Sequence, residues 1–289
     1  MRLITRADFD GIVCGVLVSV QEKIDRFLFV EPKAMQDGEI QVTQDDIIAN
    51  LPYHANAYLW FDHHITNQIS SHFRGNFRLA PSAARVVFEF YPQGSLSRHE
   101  EIVKEADRID SGEIGVSDIF HPAGYVLLAF TIDPNSQADE PYWIKLIPLL
   151  REKPFASVME DAEVKRRCQQ VLEDFKAYHT LLVEKTRQED NVAITDFRGI
   201  TFRGKVNRFL VYSLFPEANV SVKIFRDYHQ KGRIGISVGK NIFNKTSTVN
   251  VGELLSYYGG GGHQGAGSCR VPADKAEEVL HKIISALKN

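Results

Sequence analysis

Over the first 110 residues, short apolar runs alternate with stretches of helical spacing, and this alternation limits the fold more than any other feature. Residues 1–5, 25–31 and 57–61 read as strands, and residues 40–51 hold a strand or a short helix. Residues 11–22, 82–90 and 98–107 have helical spacing. Strands separated by helices imply a mostly parallel sheet covered on both faces. In an open sheet of that kind, ligands bind at the carboxyl ends of the strands. The pattern predicts an α/β fold and says where to look for a site.

Two strand ends carry metal-ligand chemistry. The run 57–61 leads into Asp62-His63-His64, one carboxylate and two imidazoles. A packing requirement rarely calls for a His pair there. The opening strand leads into Arg6-Ala7-Asp8-Phe9-Asp10-Gly11. In an extended segment Asp8 and Asp10 point the same way. Paired carboxylates repel unless a cation lies between them. The bland alternative is an Asp-Gly loop that caps a helix. Asp107 and Asp110, at the end of a helical stretch, read as ordinary surface acids or as one further ligand.

From residue 141 to 190 the pattern is helical, and residues 161–186 form one long, charged stretch free of Gly and Pro. Beyond residue 190 the segments 192–195, 200–202, 220–225 and 234–238 alternate like strands, and 273–287 reads as an amphipathic helix. These textures predict a domain over residues 1–190, including a helical linker, and a smaller α/β domain over 191–289. Charge divides the same way. Residues 191–289 carry 14 Lys+Arg against 7 Asp+Glu, and residues 1–190 carry 20 against 30. An acidic metal-binding part joined to a basic part suits an anionic substrate. The basic part contains Gly259-Gly260-Gly261-Gly262-His263, followed by Gln264-Gly265-Ala266-Gly267. Successive glycines permit a backbone nest for an anion; a flexible hairpin is the alternative. Lys240, Lys245, Arg226 and Arg233 are nearby cations.

No stretch is long and apolar enough to span a membrane, and the first residues do not read as a signal peptide. Three widely spaced cysteines fit reduced thiols in a cytoplasm better than a disulfide framework.

Together, Arg6 to Gly11, Asp62-His63-His64 and Gly259 to His263 make the chain resemble the DHH phosphoesterase superfamily with its DHH-associated C-terminal domain. RecJ-like exonucleases and exopolyphosphatase-related proteins belong to it, as do cyclic dinucleotide phosphodiesterases. The resemblance covers nearly the whole chain. It implies metal-assisted hydrolysis of phosphodiester or phosphoanhydride bonds in nucleotides, short oligonucleotides or polyphosphate. It also implies substrate in the cleft between the two domains, with the linker allowing closure.

By the family pattern, Asp8 would serve a first manganese ion, and Asp10, His63 and Asp107 a second. His64 would contact phosphate and Asp62 would orient the loop. Gly260, Gly261, Gly262, His263 and Lys240 would hold substrate, Lys240 in place of an Arg that the family often has. Two positions depart from the pattern. Arg6 stands where the family has a ligating His, and an arginine cannot ligate a cation. Asn50 aligns with the bridging Asp, unless Asp45 or Asp46 substitutes for it. The first ion is therefore compromised, and Arg6 would supply part of its charge. The expectation is one divalent ion, manganese by donor chemistry but with zinc or iron also suited. Activity is expected to be weak, metal-demanding, or absent with binding retained. The alternative is a non-catalytic nucleotide or nucleic-acid binding protein. The expected partner is a phosphate-containing small molecule or short nucleic acid, without a membrane; a homodimer is left open.

Overall fold

A computed structural model describes residues 1–92, 94–202, 204, 206–227 and 230–288. The chain forms two compact units. One comprises Met1–Gly115 and Pro122–Gln169, the other Val116–His121 and Gln170–Asn289.

The first unit is built on a five-stranded sheet. Its strands are β1 (Arg2–Thr5), β2 (Arg26–Phe29), β3 (Asp46–Ala49), β4 (Leu59–Asp62) and β5 (Gly75–Phe77). They run in the order β2-β1-β3-β4-β5, and every neighbouring pair is parallel. The ambiguous segment 40–51 contains a strand, β3. Leu3, Ile4, Ile47, Ile48, Trp60 and Phe61 are fully buried, as expected for strands covered on both faces. Ile4, Ile48 and Trp60 pack with Met35, Val42 and Leu51.

The helices are α1 (Phe9–Gln21), α2 (Pro32–Gln36), α3 (Ala83–Phe90) and α4 (Glu100–Asp110). Next, α5 (Val116–Phe120) belongs to the second unit, and α6 (Gly124–Phe130), α7 (Glu140–Glu152) and α8 (Phe155–Met159) to the first. Helix α1 is rich in β-branched residues, which form helices poorly. Burial holds it instead, because every residue from Phe9 to Val18 is buried and α1 packs on α3, α4 and α7. Its start is set by Asp8, whose side chain accepts a hydrogen bond from the Gly11 amide at 2.8 Å. A Cβ at Gly11 would lie 2.1 Å from the Arg6 carbonyl oxygen, so the turn from β1 into α1 needs glycine.

The long helix α9 (Ala162–Lys185) runs from the first unit's residues into the second's. The second unit's sheet comprises β6 (Thr186–Glu189), β7 (Val192–Asp196), β8 (Val220–Arg226), β9 (Arg233–Lys240), β10 (Gly261–His263) and β11 (Ala266–Pro272). The order is β10-β11-β9-β8-β7-β6, with β7 and β8 parallel and the other neighbours antiparallel. Helices α10 (Leu210–Leu214), α11 (Val251–Ser256) and α12 (Ala276–Leu287) complete it. Val222, Ile236 and Val238 pack with Leu255, Leu280 and Ile283 on one face. Residues Tyr178 and Leu182 of α9 pack with α10 and Ala193 on the other.

Residues 200–202 are not a strand. The Arg198 amide donates to the Asp196 side chain and the Ile200 amide to the Phe197 carbonyl, so the chain turns there. No described helix is long and apolar enough to cross a membrane.

Candidate metal centre

Asp8, Asn50 and Asp62 all lie at carboxyl ends of neighbouring strands: Asp8 just after β1, Asn50 just after β3, and Asp62 on the last residue of β4. Asp10 follows Asp8 in the first turn of α1. Its side chain is buried and accepts the Ala83 and Ala84 amides at 2.9 and 2.8 Å, so it also holds the start of α3. Burial, then the charges of Asp110 and Asp8, push its carboxyl well above the usual range. The two amides pull the other way.

His63 faces this carboxylate. Its Nδ1 lies 3.0 Å from the Ala80 carbonyl oxygen. A carbonyl can only accept, so Nδ1 carries the proton and the neutral ring offers Nε2 as a ligand. Nε2 lies 3.9 Å from Asp10 and 3.3 Å from Asp110, yet it is buried without a hydrogen bond. Burial raises the Asp110 carboxyl as well, with the charge of Asp8 adding to the rise. Asp10, His63 and Asp110 each offer a ligand atom, all within 4.8 Å of one another. Two crowded carboxylates and an orphaned imidazole nitrogen suit a divalent cation.

Asp107 is not part of this cluster. Its carboxylate takes the Ser82 hydroxyl at 2.7 Å and the Arg85 guanidinium at 2.9 Å. Asp110, one turn further along α4, stands at His63 instead. In sequence both acids had the same helical texture, and only the three-dimensional placement of α3 separates them.

Asp8 stands beside this cluster with other partners. Both oxygens of Asp8 are taken. Oδ1 accepts the Gly11 amide and the Asn50 side-chain amide, the latter at 3.0 Å, while Oδ2 pairs with Arg6 at 3.3 Å. Arg6 also reaches Glu31 at 3.4 Å. Asn50 is buried at φ 58, a left-handed conformation that asparagine tolerates better than most residues. Asp46 is turned away, bonded to Arg2 and Thr43, and so does not replace Asn50. Asp8 is thus met by a guanidinium and an amide, neither of which can ligate a cation alongside it through nitrogen.

Asp62 is a fully buried hub. It accepts the His63 amide at 2.8 Å, the His64 Nδ1 at 2.8 Å and the Asn67 side chain at 2.7 Å. The bond to Asp62 raises the His64 pKa, burial opposing it. The side chain of His64 is 46% exposed. Asn67 and the Ala83 and Ala84 amides had no signal in the sequence.

In the second unit, Gly261, Gly262 and His263 form β10, paired with Ser268, Gly267 and Ala266 of β11. The glycine run is thus part of a hairpin, with Gly260 just before it. Gly262 has φ 155, and its carbonyl lies 2.5 Å from where a Cβ on Gly252 of α11 would sit. Close packing therefore explains part of the glycine content. His263 is exposed on this hairpin. Lys240 ends β9, where its ammonium donates to the Ser247 carbonyl at 3.1 Å.

No family model and no curated protein matches the chain. Among solved structures, the pGpG-specific phosphodiesterase PggH from Vibrio cholerae is 34% identical, with a TM-score of 0.89. The match covers 99% of this chain and 98% of that one. The chain belongs to the DHH superfamily of phosphoesterases. A manganese complex of RecJ from Thermus thermophilus shares the DHH fold at 13% identity and a TM-score of 0.52. That match covers 99% of this chain and 52% of RecJ.

Proposed function

We propose that this DHH protein is a divalent-cation-dependent phosphodiesterase that cleaves a short linear dinucleotide, pGpG, into mononucleotides. The observation that carries the reading is the buried, unpartnered Nε2 of His63 facing Asp10 and Asp110. Near full-length similarity to a pGpG-specific phosphodiesterase supports the substrate. Carboxylate and imidazole donors suit manganese. One ion per chain is the stoichiometry this donor set supports, because Arg6 and Asn50 close the neighbouring position. When bound, the ion supplies positive charge to a phosphoryl oxygen and lowers the pKa of the attacking water.

The chain's own groups do the rest. Asp10, Asp110 and His63 would hold the ion, with the His63 ring fixed by the Ala80 carbonyl. Arg6 brings a permanent positive charge beside Asp8, suited to a phosphoryl oxygen. His64 presents Nε2 to phosphate while Asp62 locks its other nitrogen. Water adds to phosphorus, the bond to the 3′ oxygen breaks, and that oxygen takes a proton. One product keeps a 3′ hydroxyl and the other carries a 5′ phosphate, so both are GMP. Lys240 and His263 are proposed to grip the substrate. Three buried, free cysteines support a reducing, cytoplasmic setting.

The test is chromatography of pGpG incubated with the protein and manganese. GMP is expected from the wild type, and none with EDTA or from His63→Ala. Tight pGpG binding without GMP release would instead establish the second reading, a nucleotide-binding protein without chemistry. Arg6 and Asn50 are the observations that favour it.

A further inference from the structure

One short segment holds both oxygens of Asp10. Oδ2 accepts the Ala83 amide at 2.9 Å and Oδ1 the Ala84 amide at 2.8 Å. Ala83 and Ala84 are the first two residues of α3. Each amide uses one lone pair, so each oxygen keeps another for a cation. Where α3 begins therefore decides where those remaining lone pairs point.

Ser82 fixes that beginning. It is fully buried. Its hydroxyl accepts the Arg85 amide at 3.0 Å, which caps α3. The same hydroxyl donates to Asp107 Oδ1 at 2.7 Å. Asp107 Oδ2 takes the Arg85 guanidinium at 2.9 Å, and both of these side chains are largely buried. The first turn of α3 is thus tied to α4. Asp110, the last residue of α4, stands one turn beyond Asp107. The tie at Ser82 sets Asp10, held by α3, against Asp110, carried by α4. A helix cap needs only the bond from the Arg85 amide; the bond to Asp107 goes beyond it.

We propose that Ser82 is a positioning residue for the metal centre: anchored by Asp107, it aims the Asp10 carboxylate at the cation shared with His63 and Asp110. Ser82 touches neither the ion nor the substrate. Its effect on affinity rests on the metal-centre reading, whereas its hold on Asp10 needs no ion. Groups that orient a ligating side chain are typically worth about 10–100-fold in metal affinity.

Manganese calorimetry and amide hydrogen exchange of the ion-free full chain test this together. Ser82→Ala should weaken manganese binding by about tenfold or more, and the Ala83 and Ala84 amides should exchange faster. Ser82→Thr keeps the hydroxyl and should restore both. A second pair of variants leaves α3 untouched. Asp107→Ala strips the Ser82 hydroxyl of its acceptor and should weaken manganese as Ser82→Ala does. Asp107→Asn still bonds that hydroxyl, which can donate or accept, and should bind manganese as the wild type does despite its lost stability. A purely stabilising cap would lower the melting temperature of these variants and leave manganese affinity alone. Melting curves show which variants are folded. Wild-type manganese affinity in folded Ser82→Ala or Asp107→Ala, or unchanged exchange at Ala83 and Ala84 in Ser82→Ala, would overturn the proposal. A wild type that takes no manganese would overturn the metal centre and this proposal with it, a result distinct from variants that bind like the wild type.

Discussion

His63 Nε2 lies 3.3 Å from Asp110 Oδ2 and makes no hydrogen bond. A buried nitrogen left this way is costly unless something else binds it. His63→Ala should therefore abolish tight manganese binding without unfolding the chain. Calorimetry with manganese, beside a circular dichroism melt, checks both halves.

Asp110 and Asp107 sit one turn apart with different partners, so their amides should behave differently. Asp110→Asn should cost manganese affinity. Asp107→Asn should keep the ion and lose about 1–3 kcal/mol of stability, because Arg85 loses its charged partner and one of the two acceptor oxygens becomes a donor NH2. Manganese titration and urea denaturation of both variants decide this; loss of the ion in Asp107→Asn would reverse the assignment.

The asymmetry between those two acids marks where sequence reasoning stopped. Strand ends were legible, because Asp8, Asp10 and Asp62 follow apolar runs that had to be buried strands. The parallel character of the sheet was legible from the alternation of strands and helices, but not the order of its strands. The choice between Asp107 and Asp110 was not, since it depends on how α3 and α4 pack. Strand β11 was hidden for a different reason: Ala266, Gly267 and Ser268 lack the β-branched residues that announce a strand, and pairing with β9 makes it one. Asn50 was legible as a departure, but its bond to Asp8 was not.

Crowding of Asp10 with Asp110 and Asp8 should leave the ion-free protein less stable than one loaded with the proposed ion. Manganese at 100 times its dissociation constant should add about 2.7 kcal/mol. Scanning calorimetry with manganese and with EDTA measures the shift; coincident transitions would mean that the cluster holds no ion.

His99 accepts a hydrogen bond from Arg98 at 3.0 Å and is buried. Burial, with Arg98 and Arg151 adding to it, lowers its pKa from 6.5 to about 4. The folded state favours the neutral ring, so this contribution to stability is full above pH 6.5 and is lost as pH falls toward 4. His99→Gln, which keeps an acceptor for Arg98 and cannot be protonated, should lose less stability across that window. Melting temperatures of both proteins at pH 7, 5.5 and 4.5 check the difference.

Arg6 and Asn50 both contact Asp8, and the quantity that decides the proposed one-ion centre is manganese bound per chain. Elemental analysis after gel filtration in manganese should give one ion for the wild type. The double variant Arg6→His, Asn50→Asp should give two, with the exchange-coupled paramagnetic resonance signal of a paired site. Two ions in the wild type would contradict a one-ion centre, and none would contradict a metal centre altogether.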